Sequence, residues 1–516
     1  MKRRDFVKNM AIASAGTPIV LNNIKMQSIG KELFDVAKSA EDRVLVLIRL
    51  NGGNDGLSTV IPRDQYANLT IQRSNVLIPE TSILPLTTEV GLHSAMGGMQ
   101  NMFNNGNLSI IQNVGYPEQN RSHFRSMDIW SSGLMGTSPE TGWLGRHLDN
   151  SYPGYPSGYP NMTNPDPFAI SMGYDVSSTC QGLLANFSHA VNDPFDTYNL
   201  AASSVLNDGT YYGSHMEYLA TLIDQANEFG AQINAAANSG NTLSTMYDPT
   251  NPLATQLQYV AQMISGGLKS KVYILNINGF DTHDSQVSAS NVEEGTHTDL
   301  IKRLSDAVAA FQDDLALLGL ENRVAGMTFS EFGRQIASNA SLGTDHGDAA
   351  PLFLFGSCIN AGIVGPNPVI DSTIVNQAAV PMQIDFRDVY ASILKDWFGV
   401  STTDIQSFFE HSVTYYSLLG ACNVGVEEVI KDKNHVLLFP NPCYENTTIR
   451  FISENEWVKI EIFDLTGRSV GVFVDKTLDS GTHNVFLETS ALSQGKYLVK
   501  VYKKSGSSEA KLIKVK

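Results

Sequence analysis

The sequence predicts an α/β domain, a mostly parallel sheet flanked by helices, with a small β-sandwich behind it at the C-terminus. Three observations predict this. Through the first four hundred positions, apolar runs bounded by turn residues alternate with stretches of helical periodicity, the pattern of doubly wound α/β folds. After Glu427 the period shortens to alternating strands. The length, 516 residues, leaves room for one large domain and a smaller one.

The strand-like runs are 43–50 (RVLVLIRL), 108–114 (LSIIQNV), 271–277 (KVYILNI), 323–329 (RVAGMTF) and 351–355 (PLFLF). Their near-continuous apolarity suits strands buried on both faces. Helical patterns cover 214–237, 253–264 and 299–318. The last lines up Leu300, Leu304, Ala307, Val308, Phe311, Leu315 and Leu318 on one face. A shorter helix is expected over 122–130. Residues 151–168 (SYPGYPSGYPNMTNPDPF) are too rich in Pro, Gly and Tyr for regular structure. They read as a loop over a site or as a surface decoration. In the tail, six short strands are expected at 436–439, 447–452, 458–464, 483–488, 497–502 and 510–515, separated by turns such as Pro440-Asn441-Pro442, the count of a small β-sandwich.

Composition excludes several functions. The net charge is −17; from Lys431 onward 13 basic residues meet 10 acidic ones, so the tail is slightly basic and the rest strongly acidic. Such a surface has no electrostatic footprint for nucleic acid. No apolar run is long enough to span a bilayer, so the chain is not read as membrane-integral. Four widely spaced cysteines without a CxxC exclude zinc-ribbon and thioredoxin-like readings. They are either free buried thiols or, in an oxidising compartment, disulfides, with Cys422–Cys443 the pair to test.

Both ends of the chain carry address-like motifs. Met1-Lys2-Arg3-Arg4-Asp5-Phe6-Val7-Lys8, followed by mildly apolar residues 10–21, resembles a twin-arginine export signal; an ordinary basic N-terminus is the alternative. In the tail, Phe439-Pro440-Asn441-Pro442, Ile462-Phe463-Asp464-Leu465-Thr466-Gly467, Gly495-Lys496-Tyr497-Leu498-Val499-Lys500-Val501 and the closing 511–516 (KLIKVK) stand at intervals. They resemble the type A C-terminal sorting domain of the type IX secretion system. That resemblance implies the type IX machinery as partner, passage through the periplasm, and a final place at the cell surface or outside. The chain therefore divides into an export leader and linker (1–40), an α/β domain (41–426) and a sorting domain (427–516).

The chemistry-bearing residues cluster beside the predicted strands. Asn51-Gly52-Gly53-Asn54-Asp55-Gly56 follows the first and Asn120-Arg121-Ser122-His123-Phe124 the second. Asp281-Thr282-His283 follows the third, Ser330-Glu331-Phe332-Gly333-Arg334 the fourth, and Thr344-Asp345-His346-Gly347-Asp348 precedes the fifth. In open α/β sheets such loops converge on one crevice. Asp281, His283, Asp345 and His346 mix carboxylate with imidazole, the donor set of zinc, manganese or similar divalent ions. Ser122 is either a helix N-cap or a nucleophile, with Arg121 and free backbone N–H groups to hold an anion. His123 is a metal ligand or a general acid. Gly52-Gly53 forms a tight turn only, or else lets the backbone approach closely with Asp55 as a ligand.

LIRLNGGNDGLSTVIP, NRSHF, DTH, FSEFGR, TDHG and Asp385-Phe386-Arg387-Asp388-Val389-Tyr390 together resemble the domain-of-unknown-function 1501 family, over roughly 44–419. That family is grouped with the alkaline phosphatase and sulfatase superfamily. The resemblance implies an alkaline-phosphatase-like sheet with a two-metal site at its edge. It implies Asp55, Asp281, His283, Asp345 and His346 as ligands, with His411 the residue left for the last histidine. Ser122, Arg121 and His123 take the catalytic positions, and Asn54, Glu331 and Arg334 contact substrate. The implied function is metal-dependent hydrolysis of a phosphate or sulfate ester on a small molecule or a glycan. The alternative is a non-catalytic surface protein that binds a glycan or a partner on the same fold.

Overall fold

The structure is a computed structural model describing residues 42–136, 139–196, 208–375, 377–420 and most of 436–514, together with the short strands Val20–Leu21 and Ile24–Lys25. The arginine pair and its neighbours near the N-terminus lie outside the described residues. The chain falls into two units, Met1–Val424 and Gly425–Lys516.

The large unit is organised by one sheet. Its strands are β1 (Val44–Asn51), β2 (Leu108–Gly115), β3 (Ala169–Met172), β4 (Ser188–Val191), β5 (Val272–Asn278), β6 (Val324–Phe329), β7 (Ala350–Phe355), β8 (Gly362–Val364) and β9 (Ile384–Asp385). They lie in the order β8-β2-β7-β6-β1-β5-β3-β4, with β9 beside β2. All pairings are parallel except those of β7, which runs antiparallel to β6 and β2. The apolar run of β1 explains its central place, because its two sets of alternate residues serve two cores. Val44, Val46, Ile48 and Leu50 face one, and Leu45 and Leu47 face the other.

Helices cover both faces. On the first lie α1 (Gly97–Asn104), α4 (Tyr211–Ser239), α5 (Pro252–Ser265) and α6 (Thr296–Leu317); on the second lie α2 (His123–Ser132), α3 (Trp143–Ser151) and α7 (Phe386–Asp396). The five predicted strands and the longer helices appear within about three residues of their expected bounds. The loop 151–168 does not reach over a site. Tyr152, Tyr155 and Tyr159 pack on Phe168 and Phe187, beside the first residue of β3, at the sheet edge opposite the loops that carry the chemistry. The tyrosines bury one another's apolar faces, which draws the segment onto the core.

The second unit has seven strands: β10 (Val436–Phe439), β11 (Asn446–Ser453), β12 (Glu456–Phe463), β13 (Ser469–Leu478), β14 (Gly481–Glu488), β15 (Gly495–Lys503) and β16 (Gly506–Lys514). Two antiparallel sheets, β10-β11-β14 and β13-β12-β15-β16, enclose Ile449, Phe451, Val458, Ile460, Ile462, Val499, Val501 and Leu512. Strand β13 was not anticipated. It is an edge strand with exposed Val470 and Val472, so its pattern lacks the inward alternation that marks the others. Cys443 is free and buried, so it does not pair with Cys422, a residue outside the described ones. Among the described residues no helix is long and apolar enough to cross a membrane.

Candidate metal centre

Register alone brings the polar loops together. Asn51 of β1 pairs with Asn278 of β5, Arg49 pairs with Phe329 of β6, and Ala350 of β7 pairs with Val114 of β2. Four strands therefore end, and one begins, at the same edge. Gly52 and Gly53 seal the junction at φ of +125° and +85°. A Cβ on Gly52 would sit 2.3 Å from the Asp281 amide nitrogen, and one on Gly53 would sit 2.4 Å from the Phe332 ring. The glycines serve close approach, which no other residue permits.

Four side chains meet above this junction. His346 Nε2 lies 3.0 Å from Asp281 Oδ1, and His283 Nε2 lies 3.2 Å from the same oxygen. The two Nε2 atoms are 2.9 Å apart. His123 Nε2 approaches the other carboxylate oxygen, Asp281 Oδ2, at 3.4 Å. Among the described residues, His123, Asp281 and His346 offer ligand atoms within 4.8 Å of one another.

The opposite nitrogen of each ring is held. His123 Nδ1 meets Glu331 Oε1 at 3.0 Å, His283 Nδ1 meets Asp345 Oδ1 at 2.7 Å, and His346 Nδ1 meets the Arg121 carbonyl at 2.8 Å. A carboxylate or carbonyl only accepts, so in a neutral imidazole the proton sits on Nδ1 and the Nε2 lone pair points outward. Partial burial lowers the His346 pKa, favouring its neutral form. Burial alone would raise the Asp281 carboxyl, but its contacts with His346 and the Arg334 guanidinium hold it at about 2, so it is ionised. Lone pairs and a carboxylate thus face one another, an arrangement that a cation relieves.

The donor set fits a borderline divalent ion. Tetrahedral donors about 2.0–2.1 Å from zinc stand roughly 3.3 Å apart; His283 Nε2, His346 Nε2 and Asp281 Oδ1 are separated by 2.9–3.2 Å, with His123 Nε2 on the other carboxylate oxygen. Ligating histidines characteristically give their other ring nitrogen to a carboxylate or carbonyl, which fixes tautomer and direction. All three do so. Asp345 stands behind His283, where the bond from His283 lowers its pKa, and the structure gives it the orienting position rather than a converging one.

Other expected site residues are located elsewhere or differently engaged. Asp55 is buried away from the cluster, bound by Arg73 Nη1 at 2.9 and 3.1 Å, Ser58 Oγ at 2.7 Å and Gln286 Nε2 at 2.7 Å. Its oxygens are already occupied, so it offers a metal nothing. Asn54 is fully buried and receives Thr59 Oγ1 at 3.0 Å, with His297 Nε2 at 3.1 Å; it cannot reach a substrate. Arg334 is also buried. It grips the carbonyls of Gly52, Gly53, Phe280 and Thr344 and donates to Asp281 Oδ1 at 2.8 Å, so it aims the carboxylate. Glu331 accepts from Gly52 N at 2.8 Å as well as meeting His123. Arg121 is clamped on Asp348 at 2.8 and 3.1 Å. His411 pairs with Asp388 at 2.9 Å, outside the cluster.

Ser122 is exposed at the N-terminus of α2 and makes no side-chain cap bond. Its neighbour His123 turns inward to the cluster. Two partners escaped the sequence reading. Arg73 ends the helix Tyr66–Arg73 with no motif around it, and Gln286 lies in a loop of polar residues. The Glu331–His123 pair joins two quoted motifs that nothing in sequence links.

A family model described as protein of unknown function (DUF1501) matches residues 42–409, and one described as secretion system C-terminal sorting domain matches 437–516. The sorting domain marks the chain for secretion by the type IX system to the cell surface or beyond. No curated protein matches the chain. Among solved structures, a protein of the alkaline phosphatase superfamily from Vibrio parahaemolyticus is similar at 9% identity and TM-score 0.36, covering 93% of this chain and 92% of that one. The PsFucS1 sulfatase from Pseudoalteromonas sp. is similar at 9% identity and TM-score 0.34, with 95% and 89% covered. An alkaline phosphatase from the Antarctic bacterium TAB5 is similar at 11% identity and TM-score 0.25, with 71% and 98% covered.

Proposed function

The chain belongs to the DUF1501 family, and for this member we propose an exported, metal-dependent hydrolase of phosphate or sulfate esters whose ion is held by His123, Asp281, His283 and His346. One observation carries the reading: three imidazoles, each with Nδ1 tied back, aim Nε2 at a single carboxylate. Three nitrogens and one oxygen favour zinc over magnesium or calcium, which prefer oxygen ligands. When bound, such an ion supplies Lewis acidity, neutralising charge on an ester's non-bridging oxygens.

The chain's own groups do the rest. Arg334 fixes the Asp281 carboxylate, while Glu331, Asp345 and the Arg121 carbonyl fix the three rings. Fixed donors need no reorganisation when charge develops. Ser122, exposed and uncapped beside His123, is the proposed nucleophile: its oxygen bonds phosphorus or sulfur as the bond to the ester's alcohol breaks, its proton passes to that alcohol, and water then cleaves the serine ester to release phosphate or sulfate. Export through a twin-arginine leader, transit of the periplasm and removal of the tail complete the proposal.

The test is an ester screen on the full chain with added zinc or manganese, repeated with Ser122→Ala. Ion-dependent turnover that Ser122→Ala abolishes, with bound ion retained, is the expected result. Full activity in Ser122→Ala reduces the serine to a helix cap. A stoichiometric ion without turnover of any phosphate or sulfate ester refutes hydrolysis and favours a surface binding protein.

A further inference from the structure

On the second face of the sheet, the apolar core stops abruptly beneath the candidate centre. Across β5, β1 and β6, one register row reads Ile274, Leu47 and Met327, all buried. The next row toward the edge reads Asn276, Arg49 and Phe329, and the one after it pairs Asn278 with Asn51. Because side chains alternate along a strand, these residues continue the face of the apolar row. Asn276 and Asn278 are exposed, and Arg49 and Asn51 are half-buried. Central strands of a parallel sheet are normally covered on both faces by apolar contacts. Here the neighbouring central strands β1 and β5 end instead in a polar, open floor.

Its hydrogen-bonding groups are only partly used. Asn51 Nδ2 donates to Asn278 Oδ1 at 2.7 Å, and Arg49 Nη2 donates to Asn51 Oδ1 at 2.6 Å. Arg49 Nε is buried with no partner in the described residues, and the Asn276 side chain has none there either. The floor adjoins the centre. Gly52, next to Asn51, donates to Glu331 Oε1, the oxygen that also holds His123. A group seated on the floor therefore lies beside an ester at the ion.

We propose that Arg49, Asn51, Asn276 and Asn278 form a saccharide subsite, the asparagines pairing with ring hydroxyls and Arg49 taking an acidic substituent of the sugar. Carboxamides offer a donor and an acceptor side by side, which matches a hydroxyl; a guanidinium matches the paired oxygens of a carboxylate or sulfate. The inference rests on the hydrolase reading only in making this sugar part of the ester substrate.

Ligand-detected NMR on the full, ion-loaded chain tests it with glucuronate, glucose and inorganic sulfate. Glucuronate is expected to bind at least about tenfold more tightly than either of the others, since a hydrogen bond to a charged group contributes at least that ratio. Arg49→Met should bring glucuronate down to the glucose level, and Asn276→Ala with Asn278→Ala should weaken both sugars about tenfold. Thermal unfolding and bound-ion content serve as fold controls. Should Arg49→Met not fold, Asn278→Ala, at an exposed strand end, still decides. Wild-type affinity in the variants, no binding of glucuronate, or sulfate binding as tightly as glucuronate overturns the proposal. Ion bound without saccharide binding overturns this inference alone, and saccharide binding without a bound ion overturns only the hydrolase reading.

Discussion

Replacing Asp55 with asparagine separates two roles for this residue that predict opposite results. As a metal ligand, Asp55 would be needed for the ion and dispensable for folding. The structure instead buries it against Arg73, both side chains at most 1% exposed. Removing one partner of a buried ion pair leaves an uncompensated charge and costs about 3–5 kcal/mol. For a domain of this size that lowers the melting temperature by roughly 4–6 °C. The pH dependence supplies a second signature. Burial alone would raise the Asp55 carboxyl, but Arg73, with help from His297 and Ser58, holds it at about 2 against an ordinary 3.8. A depressed carboxylate stabilises the fold above its unfolded pKa and loses that contribution as pH falls through its folded pKa. About 2–3 kcal/mol should therefore disappear between roughly pH 4 and pH 2, and the asparagine variant should lack this component. Differential scanning calorimetry with parallel metal analysis gives both readouts. A variant that melts like the wild type but loses its ion would refute the structural assignment.

Three further outcomes follow from the geometry. Gly52→Ala should cost at least about 2 kcal/mol and lose bound ion, because its φ disfavours a side chain and its Cβ meets the Asp281 backbone; normal ion content in a folded variant would contradict this. Glu331→Gln should weaken ion affinity about 10–100-fold in a chelator competition and shift the His123 Nδ1 proton resonance; unchanged affinity would remove Glu331 as a positioning residue. Truncation before residue 436 should leave the melting transition of the large unit unchanged and prevent delivery to the cell surface; normal delivery would contradict the sorting role.

Much of the fold was legible because its strands obey strong local rules. The apolar runs of β1, β2, β5, β6 and β7 can be satisfied only between two helical layers, so pattern and burial agree. Strands β3, β4, β8 and β9, of two to four residues, carry too few positions for a period. At the candidate site, the convergence of Asp281, His283 and His346 was legible because loops at one sheet edge must meet. The division between converging and orienting groups was not. Asp55 and Asp345 look alike in sequence, yet Arg73, 18 residues away on a helix, claims one, and the Nδ1 of His283 claims the other. Those pairings depend on rotamers and register, which residue order does not encode.

The most direct test of the proposed metal centre is the ion content of the purified full chain, by mass spectrometry after zinc loading and removal of excess. The structure predicts one equivalent in the wild type and essentially none in His283→Ala or His346→Ala, each still folded with a cooperative melting transition, because both rings are partly exposed. A wild-type chain that retains no ion, or folded histidine variants that retain a full equivalent, would contradict a centre built from His123, Asp281, His283 and His346.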